Sequence, residues 1–145
     1  MIFSANSHFI EPADVFQGRM SRRLADQAPR VIDYPGGGHA LAFADQVRPL
    51  IQCTAVAGVP QSEWSGTRVV RYEDISPGCY DPVARLADLD LDGVDVAVCY
   101  YAFSCMGLGG DLFFYADGSE LEHAAVCEFT DWTCEDWGAA DPSRL

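Results

Sequence analysis

Lysine is absent from this 145-residue chain, and all nine of its cationic side chains are arginine. Chemistries that need a side-chain amine are therefore excluded for these residues: Schiff-base catalysis, a phosphate-loop lysine and a metal bridge through carbamylated lysine. No pair among the six cysteines (Cys53, Cys79, Cys99, Cys105, Cys127, Cys134) has the C-x-x-C spacing of a zinc knuckle or a redox site. No serine sits in a G-x-S-x-G elbow. The longest unbroken apolar run, Val96 to Phe103, is far short of the roughly 20 residues that a membrane span needs. The opening MIFSANSHFIEP has neither a basic n-region nor an apolar h-region, so nothing in it points to secretion. Reduced thiols in a cytoplasmic protein are the expectation.

Positive charge is also missing from the second half. Residues 1–72 carry seven Arg against six acids, whereas residues 73–145 carry two Arg against sixteen acids, and together they make the net charge of −13. Such an acidic half repels phosphate backbones and anionic bilayers, which argues against nucleic-acid and membrane partners. What the chain does have is 49% hydrophobic and 12% aromatic residues, a globular composition at the length of one ordinary domain.

Four segments follow from the pattern. Residues 1–29 hold a short strand, Ile2 to Ala5, ending in polar Asn6, Ser7 and His8. A helix then runs from Pro12 and Asp14 to about Gln27, with Val15, Phe16, Met20 and Leu24 as its apolar stripe. Residues 30–51 alternate on both sides of Pro35-Gly36-Gly37-Gly38 and read as a β-hairpin, with Val47 to Ile51 as a third strand. The glycines make a turn rather than a phosphate cradle, because neither a lysine nor a helix follows. Residues 52–80, rich in Gly, Pro and Ser, read as a long irregular connection.

Residues 81–145 resume regular structure. Asp81-Pro82 opens a helix through Val83, Leu86 and Leu89 that Gly93 ends. The run Val94 to Tyr101 then reads as a parallel strand buried on both faces. Ser119 and Glu122 form a capping box for a last helix with Leu121, Ala125, Phe129 and Trp132 on one face. The Gly107–Gly110 cluster lacks dinucleotide-fingerprint spacing and reads as a loop. Of the three histidines, His39 and His123 read as surface residues, whereas His8 ends a strand, where α/β proteins place their chemistry.

Ser4-Ala5-Asn6-Ser7-His8-Phe9-Ile10-Glu11-Pro12 resembles the first strand of the amidohydrolase-related, metal-dependent hydrolases, the family of aminocarboxymuconate semialdehyde decarboxylase-like enzymes. Related members read A-D-S-H-x-x-E-P there, with the acid and the histidine as metal ligands. The resemblance continues through Arg71-Tyr72-Glu73-Asp74-Ile75, Tyr80-Asp81-Pro82, Arg85-Leu86-Ala87-Asp88, Asp90 to Asp95, Asp131-Trp132 and Ala140-Asp141-Pro142. It implies an α/β fold that is the N-terminal part of a TIM (β/α)8 barrel, an incomplete barrel of about two βα units with an inserted β-hairpin.

On that resemblance, His8 and Asn6 are the metal ligands, with zinc expected and manganese the alternative. Residues two apart on a strand share a face, so such a pair converges on one ion. Asn6 departs from the family pattern: where an aspartate is expected it offers only a neutral carbonyl oxygen, which zinc sites seldom use. Metal binding by this chain alone is therefore in doubt. Glu11, Tyr100 and Tyr101 are the expected substrate-binding residues, and no catalytic residue is assigned.

A whole barrel takes about 250 residues, and this chain ends where a third strand should begin. Two readings follow. The first is an N-terminal segment, inactive by itself, of an enzyme that hydrolyses or non-oxidatively decarboxylates a small carboxylated or aromatic substrate. The second is a non-catalytic remnant or assembly module that acts by associating with a second copy or a complementing chain.

Overall fold

The computed structural model describes residues 1–52, 56–101 and 118–145. Cys53, Cys105, Phe103 and the Gly107–Gly110 cluster, on which parts of the sequence reading fall, lie outside the described residues. In chain order the regular elements are β1 (Phe3–Phe9), α1 (Val15–Arg19), β2 (Arg30–Asp33), β3 (His39–Phe43), β4 (Gln46–Pro49), α2 (Pro82–Asp92), β5 (Val96–Tyr101) and α3 (Glu120–Trp132). β1 and β5 pair in parallel, and β2, β3 and β4 form a separate antiparallel sheet in that order. The architecture is mixed α/β, with no closed barrel among the described residues.

Local chemistry explains most boundaries. Asp81 Oδ1 accepts the N–H groups of Val83 and Ala84 at 2.8 and 3.1 Å, Pro82 occupies the first turn of α2, and Gly93 closes it in the left-handed region at φ 69°. Ser119 Oγ accepts the Glu122 N–H at 3.2 Å to open α3, and the Glu122 carboxylate accepts the Gly118 N–H at 3.1 Å. Beyond α3 a π-turn, Thr133–Trp137, swings Trp137 into the core at 2% exposure.

The first helix differs from its expected extent. α1 stops at Arg19 because Met20 is extended (ψ 148°), and the chain re-forms only a single 3-10 turn at Ala25–Gln27. The apolar stripe survives this break, since Val15, Phe16, Met20 and Leu24 are all buried. Two short turns joined by an extended residue present the same stripe as a continuous helix, and periodicity does not separate the two.

Gly36, Gly37 and Gly38 all have positive φ and connect β2 to β3, with the Tyr34 N–H donating to the Gly38 carbonyl at 3.0 Å. The segment beyond β4 is less irregular than its composition suggests. Ile51 bridges Val69, the Val70 N–H donates to Leu50, and the Val70 carbonyl receives the His39 N–H. Residues 68–70 are thereby stitched to the antiparallel sheet, over a small core of Ile10, Leu50, Val70, Tyr72 and Ile75.

The main core gathers Phe9 from β1, Phe16 and Met20 from the first excursion, Leu41 and Phe43 from β3, and Phe129, Trp132 and Trp137 from the end of the chain. Phe9 stacks on Trp137 with ring centroids 4.7 Å apart and lies 5.7 Å from Trp132. Each aromatic buried this way contributes roughly 1.5–3 kcal/mol. Arg19 reaches from α1 to Glu135 and Asp136, tying the same layers together at the surface.

β5 is not buried on both faces. Ala97 is buried and Cys99 and Tyr101 are partly buried on the helix side, whereas Val98 and Tyr100 are exposed at 45% and 48%. A two-stranded sheet with helices on one side offers only one covered face, and the apolar run alone does not reveal how many layers surround it.

Candidate functional site

The register of the parallel pair decides which side chains share a face. Phe3 pairs with Val96 and Ser4 with Ala97, and after an irregularity between Ser4 and Ser7 the pairing resumes as Ser7 with Cys99, His8 with Tyr100 and Phe9 with Tyr101. Residues Ala5 and Asn6 thus oppose Val98, which makes a β-bulge. Ser4, Ser7 and Phe9 lie on the helix side, and Phe3, Asn6 and His8 are exposed. Asn6 and His8 flank Ser7, so the two-residue period puts both on the uncovered face, together with Val98 and Tyr100.

His8 is oriented from two directions. Its Nδ1 lies 3.3 Å from the Tyr101 carbonyl, a geometry in which Nδ1–H donates and Nε2 keeps its lone pair outward. Its ring lies 6.4 Å from that of Tyr100 at 49°. This is the tautomer that a metal ligand or a proton acceptor requires at Nε2.

The other expected substrate-binding residues are placed differently. Tyr101 faces the helix layer, edge-on to Phe129 at 6.4 Å, and its backbone carbonyl meets His8 Nδ1. Glu11 is buried at 6%, and its carbonyl accepts the hydroxyl of Tyr72. Burial, and then the charge of Glu11, push the Tyr72 phenol far above its ordinary range. The cavity beside Glu11, lined also by Pro12, Phe16, Arg30 and Val31, measures about 10 Å³, room for a water-sized sphere and not for a substrate.

Arg85 is the residue that sequence reasoning missed. From α2 it donates to Ser7 Oγ at 3.1 Å and to the His8 carbonyl at 2.5 Å, and its guanidinium lies 5.7 Å from the centre of the Trp137 ring. Burial raises the nearby thiols of Cys79 and Cys99, and the positive charge of Arg85 opposes that rise in both. A signal was present: Arg85 sits one turn before Leu89, on the stripe that α2 buries.

His39 corrects a second reading. It is 8% exposed rather than at the surface, because it starts a strand whose five residues are all buried. Its Nδ1 accepts the Tyr72 N–H at 2.9 Å, and Asp33 and Glu73 stand 3.7 and 3.8 Å from its ring nitrogens. It holds the loop to the sheet and takes no part in the exposed face.

Among the described residues no group of three or more His, Cys, Asp or Glu side chains could hold a metal ion. Asn6 and His8 supply one imidazole nitrogen and one neutral amide oxygen, which falls short of the three protein ligands of a catalytic zinc site. The pair alone does not fit a resident divalent ion. Among the same residues no helix is long and apolar enough to cross a membrane, and Cys79, Cys99, Cys127 and Cys134 are free thiols.

Neither a family model nor a curated protein matches the chain. Among solved structures, the crystal structure of an amidohydrolase from Mycobacterium avium subsp. paratuberculosis K-10 superposes with a TM-score of 0.60 at 21% identity. The match covers 99% of this chain and 40% of that one. This chain has the fold of part of an amidohydrolase. Residues near Leu145 pack beside β5: the Arg144 carbonyl accepts the Ala97 N–H at 2.8 Å, and the Arg144 guanidinium donates to the carbonyls of Val94 and Asp95.

Proposed function

We propose that this chain supplies the first-strand part of an amidohydrolase-type enzyme that hydrolyses or non-oxidatively decarboxylates a small carboxylated or aromatic molecule. One observation carries the reading: Asn6 and His8 lie together on the uncovered face of a parallel strand, in a chain with the fold of part of an amidohydrolase. His8 Nε2 is the ligand atom this chain offers to a zinc or manganese ion, and Asn6 is its weakened partner. The remaining ligands come from outside the described residues. Tyr100 lines the substrate side, Tyr101 orients His8 through its carbonyl, and Glu11 is buried beside Tyr72. A reducing, cytoplasmic setting belongs to the same proposal and rests on the reading of the cysteines as reduced thiols.

Manganese titration by calorimetry tests this, because manganese prefers oxygen and nitrogen donors to thiolates. Asn6→Asp restores an anionic oxygen and is expected to tighten binding by about tenfold or more, and His8→Ala in that background is expected to remove the gain. An Asn6→Asp variant that binds manganese no better than the original chain overturns the assignment.

One observation favours association as a second reading. Phe3, Val98 and Tyr100 form an exposed apolar strip on the same face, at 60%, 45% and 48% exposure. Sedimentation equilibrium discriminates: self-association that Val98→Glu abolishes supports an assembly role, and a monomer at all concentrations removes it.

A further inference from the structure

His39 holds the segment beyond β4 by a contact that exists in only one of its two protonation states. The ring is buried, and its Nδ1 accepts the Tyr72 N–H at 2.9 Å, so Nδ1 carries no proton and the hydrogen of the neutral ring sits on Nε2. A protonated imidazole has N–H groups at both positions and accepts nothing. The Tyr72 N–H then faces a second N–H and a positive charge.

The charged groups around the ring decide what protonation does. Asp33 on β2 stands 3.7 Å from Nε2, and Glu73, on the 3-10 turn Tyr72–Asp74, stands 3.8 Å from Nδ1. Arg71, just before that turn, lies 3.9 Å from Asp33 and 3.4 Å from Glu73. Val70 and Leu50 meet His39 through backbone: the His39 N–H donates to Val70, and the His39 carbonyl accepts the Leu50 N–H. Both carboxylates are exposed and already share a cation, so a charged ring gains about fivefold or less from them, whereas a stranded buried donor costs about fivefold to a hundredfold. The loss outweighs the gain, and the closed form excludes the proton that an open form takes up.

We propose that His39 is an acid-operated latch. Protonation of Nδ1 from solvent releases the Tyr72 N–H, and segment 68–75 lifts from β3. The same segment carries the Tyr72 hydroxyl, which donates to the Glu11 carbonyl, and it packs Val70, Tyr72 and Ile75 against Ile10 and Leu50. Opening therefore uncovers the small core around Ile10 and Glu11, the residues that follow β1. The device requires no ligand at Asn6 and His8.

Amide hydrogen exchange followed by nuclear magnetic resonance between about pH 5.5 and 7.5 tests the latch, a range that spans the ordinary imidazole titration near pH 6.5 and lies above that of exposed carboxylates near pH 4. Protection of the Tyr72 N–H, corrected for intrinsic exchange, is expected to fall about tenfold or more toward the acid end, at the midpoint where the His39 ring nitrogens report the gain of a proton. The Ala97 N–H, bonded to Arg144 beside β5, is expected to keep its protection. His39→Asn supplies an acceptor that does not titrate and is expected to hold Tyr72 protection constant across the range. The ring signals of the original chain carry the test where that variant does not fold. A ring that takes up its proton while Tyr72 stays protected, a ring that stays neutral throughout, an equal loss at Ala97, or the same loss in His39→Asn overturns the latch.

Discussion

Arg85 joins α2 to β1 by donating to Ser7 Oγ and to the carbonyl of His8, immediately after the bulge that sets which residues of β1 are exposed. The guanidinium spans a hydroxyl and a backbone oxygen while lying over Trp137, a task that needs its planar fork. Arg85→Ala is expected to destabilise the chain by about 1–3 kcal/mol, read from urea unfolding, since charge-assisted hydrogen bonds are lost and the site is only partly shielded. Arg85→Lys recovers little of this, because a single ammonium does not reproduce both contacts. A lysine variant as stable as the original chain would show that charge alone matters.

His39 makes a different kind of contact, accepting a backbone N–H in a buried setting. His39→Leu fills similar space but strands the Tyr72 N–H, which costs about 1–3 kcal/mol. His39→Asn places an acceptor near the position of Nδ1 and is expected to lose less than His39→Leu. Equal losses in the two would mean that packing, and not this hydrogen bond, holds the loop.

Much of this arrangement was readable from local signals. Asp81, Pro82 and Gly93 mark both ends of α2, and the three glycines mark the hairpin turn, because caps and positive φ values are decided within a few residues. The resemblance around Ser4 to Pro12 agrees with a fold similar to part of an amidohydrolase. Contacts between distant residues were not readable. The β1 bulge arises only against β5, more than 90 residues later, and the place of Arg85 on the α2 stripe does not name Ser7 and Trp137 as its partners. His39 is held by segment 68–72, whose composition reads as open loop. Tyr100 and Tyr101 are adjacent and chemically alike, and only the register shows that their side chains face opposite ways.

Two glycines with positive φ separate backbone strain from collision. At Gly93 (φ 69°) an added Cβ meets open space, so Gly93→Ala is expected to cost about 1–2 kcal/mol and Gly93→Asn less. At Gly38 (φ 78°) the Cβ would lie 2.8 Å from Val69 Cγ1 and 2.9 Å from the Val70 carbonyl oxygen. The Val69 methyl can yield, but the Val70 oxygen accepts the His39 N–H and cannot move without unpairing it. Gly38→Ala therefore loses more stability than Gly93→Ala by thermal or urea unfolding, and the reverse order would refute the close approach.

Tyr72 makes stability fall at alkaline pH. Burial and the Glu11 charge hold its phenol protonated in the folded chain far above the ordinary value, while the unfolded chain releases that proton at about pH 10. A folded-state pKa raised in this way contributes stability that is complete below about pH 10 and is lost as pH rises, by up to about 1.4 kcal/mol per pH unit. Tyr72→Phe removes both the titration and the hydrogen bond to the Glu11 carbonyl. At neutral pH the variant is expected to be less stable by about 0.5–1.5 kcal/mol. Between about pH 8 and pH 11 the original chain should lose more stability than the variant, so the gap between their urea midpoints narrows as the pH rises. Parallel declines across that range would show that the buried phenol does not govern the alkaline limit.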